Sequence, residues 1–251
     1  MKDELARDAW AGLARWTPAR IALGRVGVSV PTGATLEFGM AHARARDAIH
    51  TPLDVAGLAA ELRDAGFATD AVTTRTLSRA EYLLRPDLGR RLSAASREAI
   101  VCDGAAGRLT VVMADGLSAL APRRHAVPLL VALRQRLIDW TLDTVFIATQ
   151  ARVAVGDEIG ELRGAEAVLV LIGERPGLQA SDSLGAYLTY APRVGCSDAE
   201  RNCVSNVRVG GLGYEEAAGL LGRLLEGARR LGGSGVGLKD EGEEKKAYLG
   251  G

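Results

Sequence analysis

The stretch VLVLIGERPG, Val168 to Gly177, decides how the chain is read. Its five branched apolar residues predict a strand buried on both faces. That run stops at Gly173, a charged pair, Pro176 and Gly177. In an open α/β sheet ligands are held outside the carboxyl ends of the strands, so Glu174 and Arg175 stand where a ligand would be met. A solvated turn explains the same residues when the turn is read alone.

Working outward, LTVVMA (Leu109 to Ala114) and TVFIAT (Thr144 to Thr149) repeat the strand pattern. A helical segment reaching about Leu137 follows the Asp115-Gly116 turn, and DEIGELRG follows the second strand. Strand, helix, strand, helix, strand predicts a parallel, doubly wound sheet with right-handed crossovers. Further on, AYLTY (Ala186 to Tyr190) reads as an edge strand, followed by an irregular stretch to Gly213. Glu215 to Leu231 reads as an amphipathic helix whose last turn carries Arg229 and Arg230 against the helix dipole.

The first hundred residues read as helical. They hold Thr35 to Ile49, VAGLAAELRDAG capped by Asp54, a short helix behind a Ser78–Glu81 capping box, and LGRRLSAASREAI opened by Asp87. The expected fold class is therefore α/β, a Rossmann-like parallel sheet flanked by helices, with a helical N-terminal region. The divisions are residues 1–107, an α/β domain over 108–240, and a flexible tail at 241–251.

Thirty-one basic residues balance thirty-one acidic ones, so no overall field attracts nucleic acid or an anionic membrane. No run approaches the roughly 20 apolar residues of a membrane span, and the acid-bearing start is unlike a signal peptide. Three cysteines without framework spacing (Cys102, Cys196 and Cys203) fit a reducing, cytoplasmic setting.

Most motifs with chemistry in them are missing. GGSGVG has neither the spacing of a dinucleotide fingerprint nor a strand before it, and no P-loop occurs. His42, His50 and His125 lack zinc spacing, and His42 reads as a packing residue on an apolar helix. Ser118 in DGLSA lacks the glycines of a nucleophile elbow and reads as a helix cap. Asp157 and Glu158 lie in a helix's first turn, where the dipole alone accounts for them. What remains is positional: QARVAVGDE (Gln150 to Glu158) and GERPG would share one sheet edge, with the polar stretch DAERNCVSN (Asp198 to Asn206) beyond them. Small side chains and backbone there suit a broad, flat ligand, given something to close the surface.

These three loops, with TPARIALGR near the start and LGAYLTYAPR after GERPG, resemble the small subunit of ethanolamine ammonia-lyase over roughly Thr17 to Asp240. The resemblance implies an adenosylcobalamin-dependent ammonia-lyase converting ethanolamine to acetaldehyde and ammonia by radical chemistry. It implies a non-catalytic role for this chain, which would cover the corrinoid opposite a large TIM-barrel subunit, in a hetero-oligomer of six large and six small subunits. By the same resemblance Val153, Glu174 and Cys203 fall on cobalamin-contacting positions, with Arg152 and Arg175 as neighbours for a phosphate or carboxylate. Gly173 and Gly177 would then let backbone approach the cofactor, and Pro176 would stiffen the turn.

The Asp-x-His-x-x-Gly signature of base-off cobalamin modules is absent, since Asp47 and His50 have the wrong spacing. That fits a cofactor keeping its own lower ligand. Ala151 replaces a glycine usual in the family, and the short stretch before Thr17 weakens the case for enclosure in a bacterial microcompartment. Two other readings use the same residues: a stand-alone nucleotide-binding module on the sheet edge, and a structural clamp docking through the N-terminal helices.

Overall fold

The computed structural model describes residues 6, 8–17, 19–102 and 107–240, so the expected tail at 241–251 lies outside the described residues. The three apolar runs form β2 (Arg108–Ala114), β3 (Thr141–Thr149) and β4 (Ala167–Gly173). All seven residues of β2 and of β4 are buried, which is why those strands read as unbroken apolar runs rather than alternating ones. The six-stranded sheet has the order β1-β3-β2-β4-β5-β6.

The α/β expectation holds, with two additions. β1 (Thr69–Thr73) lies in the stretch that reads as helical and pairs parallel with β3. β6 (Arg201–Val207) lies in the stretch that reads as irregular. β5 (Leu184–Tyr190) is not an edge strand; it runs antiparallel between β4 and β6, so the sheet is mixed. Four parallel strands form the wound part and an antiparallel pair extends it.

Helices cover both faces. On one side α2 (Val55–Asp64), α5 (Val127–Arg134) and α7 (Tyr214–Leu231) bury Leu58, Leu62, Leu129, Leu133, Leu221 and Leu225 against β2, β4 and β5. Each such side chain contributes about 1.5–3 kcal/mol of transfer free energy. On the other side α6 (Val155–Arg163) lies on β4, with Val155 and Ile159 against Val168 and Val170. Gly156 and Gly160 allow this close approach: a Cβ at Gly156 would come within 2.3 Å of Val170, and one at Gly160 within 2.5 Å of Pro192. Since β2 leads to β3 through α5 and β3 leads to β4 through α6, the winding reverses beside β2.

The N-terminal region differs from its sequence reading in detail. Asp54 caps α2 through the Gly57 N–H at 2.9 Å. Ser78 caps α3 (Arg79–Leu84), while Glu81 reaches back to the Leu77 N–H at 2.7 Å instead of closing the box on Ser78. The helix expected after Asp87 is a short 3-10 turn followed by α4 (Ala94–Ala99), capped by Ser93.

α1 (Thr32–His50) buries only Ala41, Ala45 and Ala48. Ten of the nineteen exposed large apolar side chains among the described residues lie between Trp10 and Met40, so this arm is where apolar surface is left uncovered. His42, expected to pack, is exposed beside Phe38.

Candidate functional site

The carboxyl end of β2, beside which the winding reverses, is where a sheet of this kind holds a nucleotide. Here that position is filled from within. Asp115, buried at the end of β2, accepts the backbone N–H groups of Gln150 (2.9 Å) and Ala151 (3.1 Å). Gln150 takes the left-handed conformation (φ 54°), and its carbonyl accepts the Thr74 hydroxyl. Arg79 closes the far side, reaching Asp115 at 3.4 Å and the Gly116 carbonyl at 2.9 Å. The amides that a phosphate would require are already bonded to a carboxylate.

Tyr82 lies behind this join with the guanidinium groups of Arg79 and Arg152 at 4.7 and 4.3 Å from its ring. Its hydroxyl donates to the Ala151 carbonyl, and burial pushes its pKa up to about 12. Arg152 is thereby directed onto Tyr82, and its Nη2 donates to that residue's carbonyl at 3.4 Å. Arg175 is exposed on the turn after β4.

The antiparallel strands bring the other expected residues toward one another. The Glu174 carboxylate accepts the Ser183 hydroxyl and the Asn206 N–H (3.3 Å) through Oε2, leaving Oε1 over Gly185. Gly185 lies opposite Ile172, Tyr187 opposite Val170, and Cys203 opposite Tyr187. Burial pushes the Tyr187 hydroxyl's pKa up, and Cys203, exposed on the neighbouring strand, lies directly across from it. α6 covers the level of Val168 and Val170, and Val153, in the turn before it, packs against the same apolar layer as Tyr187. Glu174, Gly185, Tyr187 and Cys203 therefore share one face of the antiparallel strands, and Val153 packs against the apolar layer beneath it.

Several sequence readings are corrected here. Gly173 serves internal packing, since a Cβ there would meet the Ser118 carbonyl at 1.9 Å. At Gly177 a Cβ would stand 3.8 Å from its nearest protein atom, so nothing within the chain itself requires a glycine there. The glycine at the open face is Gly185, where a Cβ would lie 2.9 Å from the Tyr187 ring and 3.1 Å from Glu174 Oε1. Ser118 is not a cap; its hydroxyl donates to the Ser181 carbonyl at 2.6 Å. Asp157 and Glu158 are not explained by the dipole alone. Asp157 pairs with buried Arg201, which also bonds Thr189 and the Cys196 carbonyl, while Glu158 accepts the Leu92 N–H and faces Arg91 and Arg97.

The face is shallow. Grooves line both sides of α1 and the gap between α5 and the start of α7, and none of the three includes Val153, Glu174 or Cys203. Among the described residues no group of His, Cys, Asp and Glu could hold a metal ion, and no helix is long and apolar enough to cross a membrane.

Fold and face together define an α/β subunit with an open, mixed apolar and polar wall at the carboxyl edge of its sheet. The family model described as "Ethanolamine ammonia-lyase light chain (EutC)" matches residues 7–239. The chain is 54% identical over 241 residues to an ethanolamine ammonia-lyase small subunit of Xanthomonas campestris pv. campestris (strain B100), covering 94% of this chain and 89% of that one. It is 51% identical to the small subunit of Ralstonia nicotianae (95% and 91% covered) and 50% identical to that of Pseudomonas fluorescens SBW25 (95% and 88%). The chain belongs to the ethanolamine ammonia-lyase small-subunit family, a subunit of a lyase that works with a large-subunit partner.

Proposed function

We propose that this chain forms one wall of an adenosylcobalamin site, closed from the opposite side by the large subunit, in an enzyme that converts ethanolamine to acetaldehyde and ammonia. The reading is supported by the group Glu174, Gly185, Tyr187 and Cys203 on one face of the antiparallel strands, with Val153 packed against the same apolar layer as Tyr187. These residues fit a broad corrinoid. Val153 and the Tyr187 ring offer apolar contact, the Oε1 of Glu174 can accept a peripheral amide N–H, and Gly185 lets the ring and the carboxylate lie side by side against the strand. When bound, the cofactor supplies a carbon-centred radical through homolysis of its cobalt–carbon bond.

This chain's part is to bind, orient and exclude water while the partner holds substrate, so it needs no catalytic side chain of its own. The exposed arm from Trp10 to Met40 supports a protein partner, since so much apolar surface calls for cover. A TIM-barrel large subunit, six copies of each chain, and a cytoplasmic setting with or without a microcompartment complete the proposal. Arg175 and Arg152 are assigned to the same region, Arg175 as the exposed cation and Arg152 as the residue that anchors the loop before α6.

The test is Glu174→Ala in the two-subunit complex. Corrinoid retained after desalting should fall while far-ultraviolet circular dichroism and assembly stay unchanged; undiminished retention removes Glu174 from the site.

A further inference from the structure

β5 presents Leu184, Ala186 and Leu188 to the core beneath α5 and α7. The alternate positions, Gly185, Tyr187 and Thr189, face the α6 side. Thr189 is occupied by Arg201 at 3.0 Å, within the ion pair that fixes α6 to β6. Tyr187 packs at the edge of the α6-side apolar layer and lies directly across from Cys203. It is a half-buried aromatic ring between an acidic rim (Glu174) and the exposed Cys203.

The ring does not stand upright from the strand. It leans over Gly185 toward Glu174, because a Cβ at position 185 would be only 2.9 Å from its Cε2 atom and 3.2 Å from the Glu174 Cγ. The glycine thus allows an aromatic plane and a carboxylate to lie side by side on a sheet surface. A small planar group would be satisfied by the ring alone. The paired carboxylate suits a larger flat ligand with hydrogen-bond donors at its periphery.

We infer that Tyr187 is the platform on which the flat ligand bears, with Gly185 as the space that sets its tilt and Glu174 as the polar group beside it. This rests on the cofactor-wall reading above and adds two residues to it. The ring supplies contact area, and the hydroxyl adds little to it. Removing the ring should therefore cost binding, and removing the hydroxyl alone should cost little.

The experiment uses the complex of both subunits loaded with adenosylcobalamin in the dark, with retained corrinoid followed by absorbance through gel filtration. Tyr187→Ala and Gly185→Ala should each lose the corrinoid roughly tenfold faster than the unaltered complex, the scale of a lost aromatic contact plus its polar neighbour. Tyr187→Phe should stay within about twofold. Co-elution of the two chains and unchanged circular dichroism separate a binding loss from misfolding. If Glu174→Ala sheds corrinoid while Tyr187→Ala and Gly185→Ala hold it normally, the platform is wrong and the wall stands. If none of the three changes retention, the wall itself fails.

Discussion

The carboxylate of Asp115, at the end of β2, accepts the backbone N–H of Gln150, just past the end of β3, at 2.9 Å. This join closes the β3 side of the carboxyl end of β2, the Leu117 N–H on the Gly173 carbonyl (2.9 Å) closes the β4 side, and a potential phosphate cradle becomes a structural tie. It favours a subunit role over a stand-alone nucleotide-binding module. Asp115→Ala would strand the N–H groups of Gln150 and Ala151 and remove a partner of Arg79. Hydrogen bonds to charged groups contribute about 1.5–3 kcal/mol each, so a loss of about 3 kcal/mol or more is expected. Urea unfolding followed by circular dichroism measures it, and a change below about 1 kcal/mol would show that the tie carries little.

Arg201 and Asp157 form a buried, two-pronged pair between β6 and α6, both side chains nearly inaccessible to water. Arg201→Met should lower stability by about 3–5 kcal/mol because it leaves a buried carboxylate without its partner. Adding Asp157→Leu to that variant should recover most of the loss. The thermal midpoints of the two single variants and the double variant form the cycle that tests this.

His125 introduces a dependence on pH. Its Nδ1 accepts the Tyr214 hydroxyl (2.8 Å), and its Nε2 faces Asp182 (3.3 Å), which Arg124 also holds. Burial lowers its pKa below the ordinary 6.5; Asp182 opposes the shift, and Arg124 and Arg208 add to it. The unfolded chain therefore takes up the proton first as pH falls. The contribution is complete above pH 6.5 and is lost as pH drops from there toward the folded-state value. His125→Gln should flatten this part of the curve of thermal midpoint against pH; an unaltered slope would assign the dependence to other groups.

Leu36, Phe38 and Met40 lie exposed on α1. Replacing all three with serine should raise the soluble fraction of the isolated chain and lower its recovery with the large subunit. Centrifugation and co-purification read the two effects. Improved solubility with full assembly would mean that the partner contacts some other surface.

The strands that read clearly from sequence are those buried on both faces, where branched apolar residues leave little choice of structure. β1 and β6 were not legible for the opposite reason. TDAVT has only Val72 buried, and RNCVSNV buries Arg201, Val204 and Val207 across a register shift in its pairing, so neither shows a clean two-residue period. Long-range partners were equally hidden: nothing local to Asp157 indicates Arg201, which arrives from another strand. Tyr187 and Gly185 did carry a signal. Alternation in LGAYLTY puts them on one face, but only the register with Ile172 and Cys203 shows that this face borders Glu174.

The most direct measurement is co-expression of this chain with its large subunit in the presence of adenosylcobalamin, followed by an absorbance scan of the purified protein. A wall assembled from distant strands predicts corrinoid bands only when both chains are present, with each chain alone eluting colourless. A large subunit that holds the cofactor equally well without this chain would contradict the account.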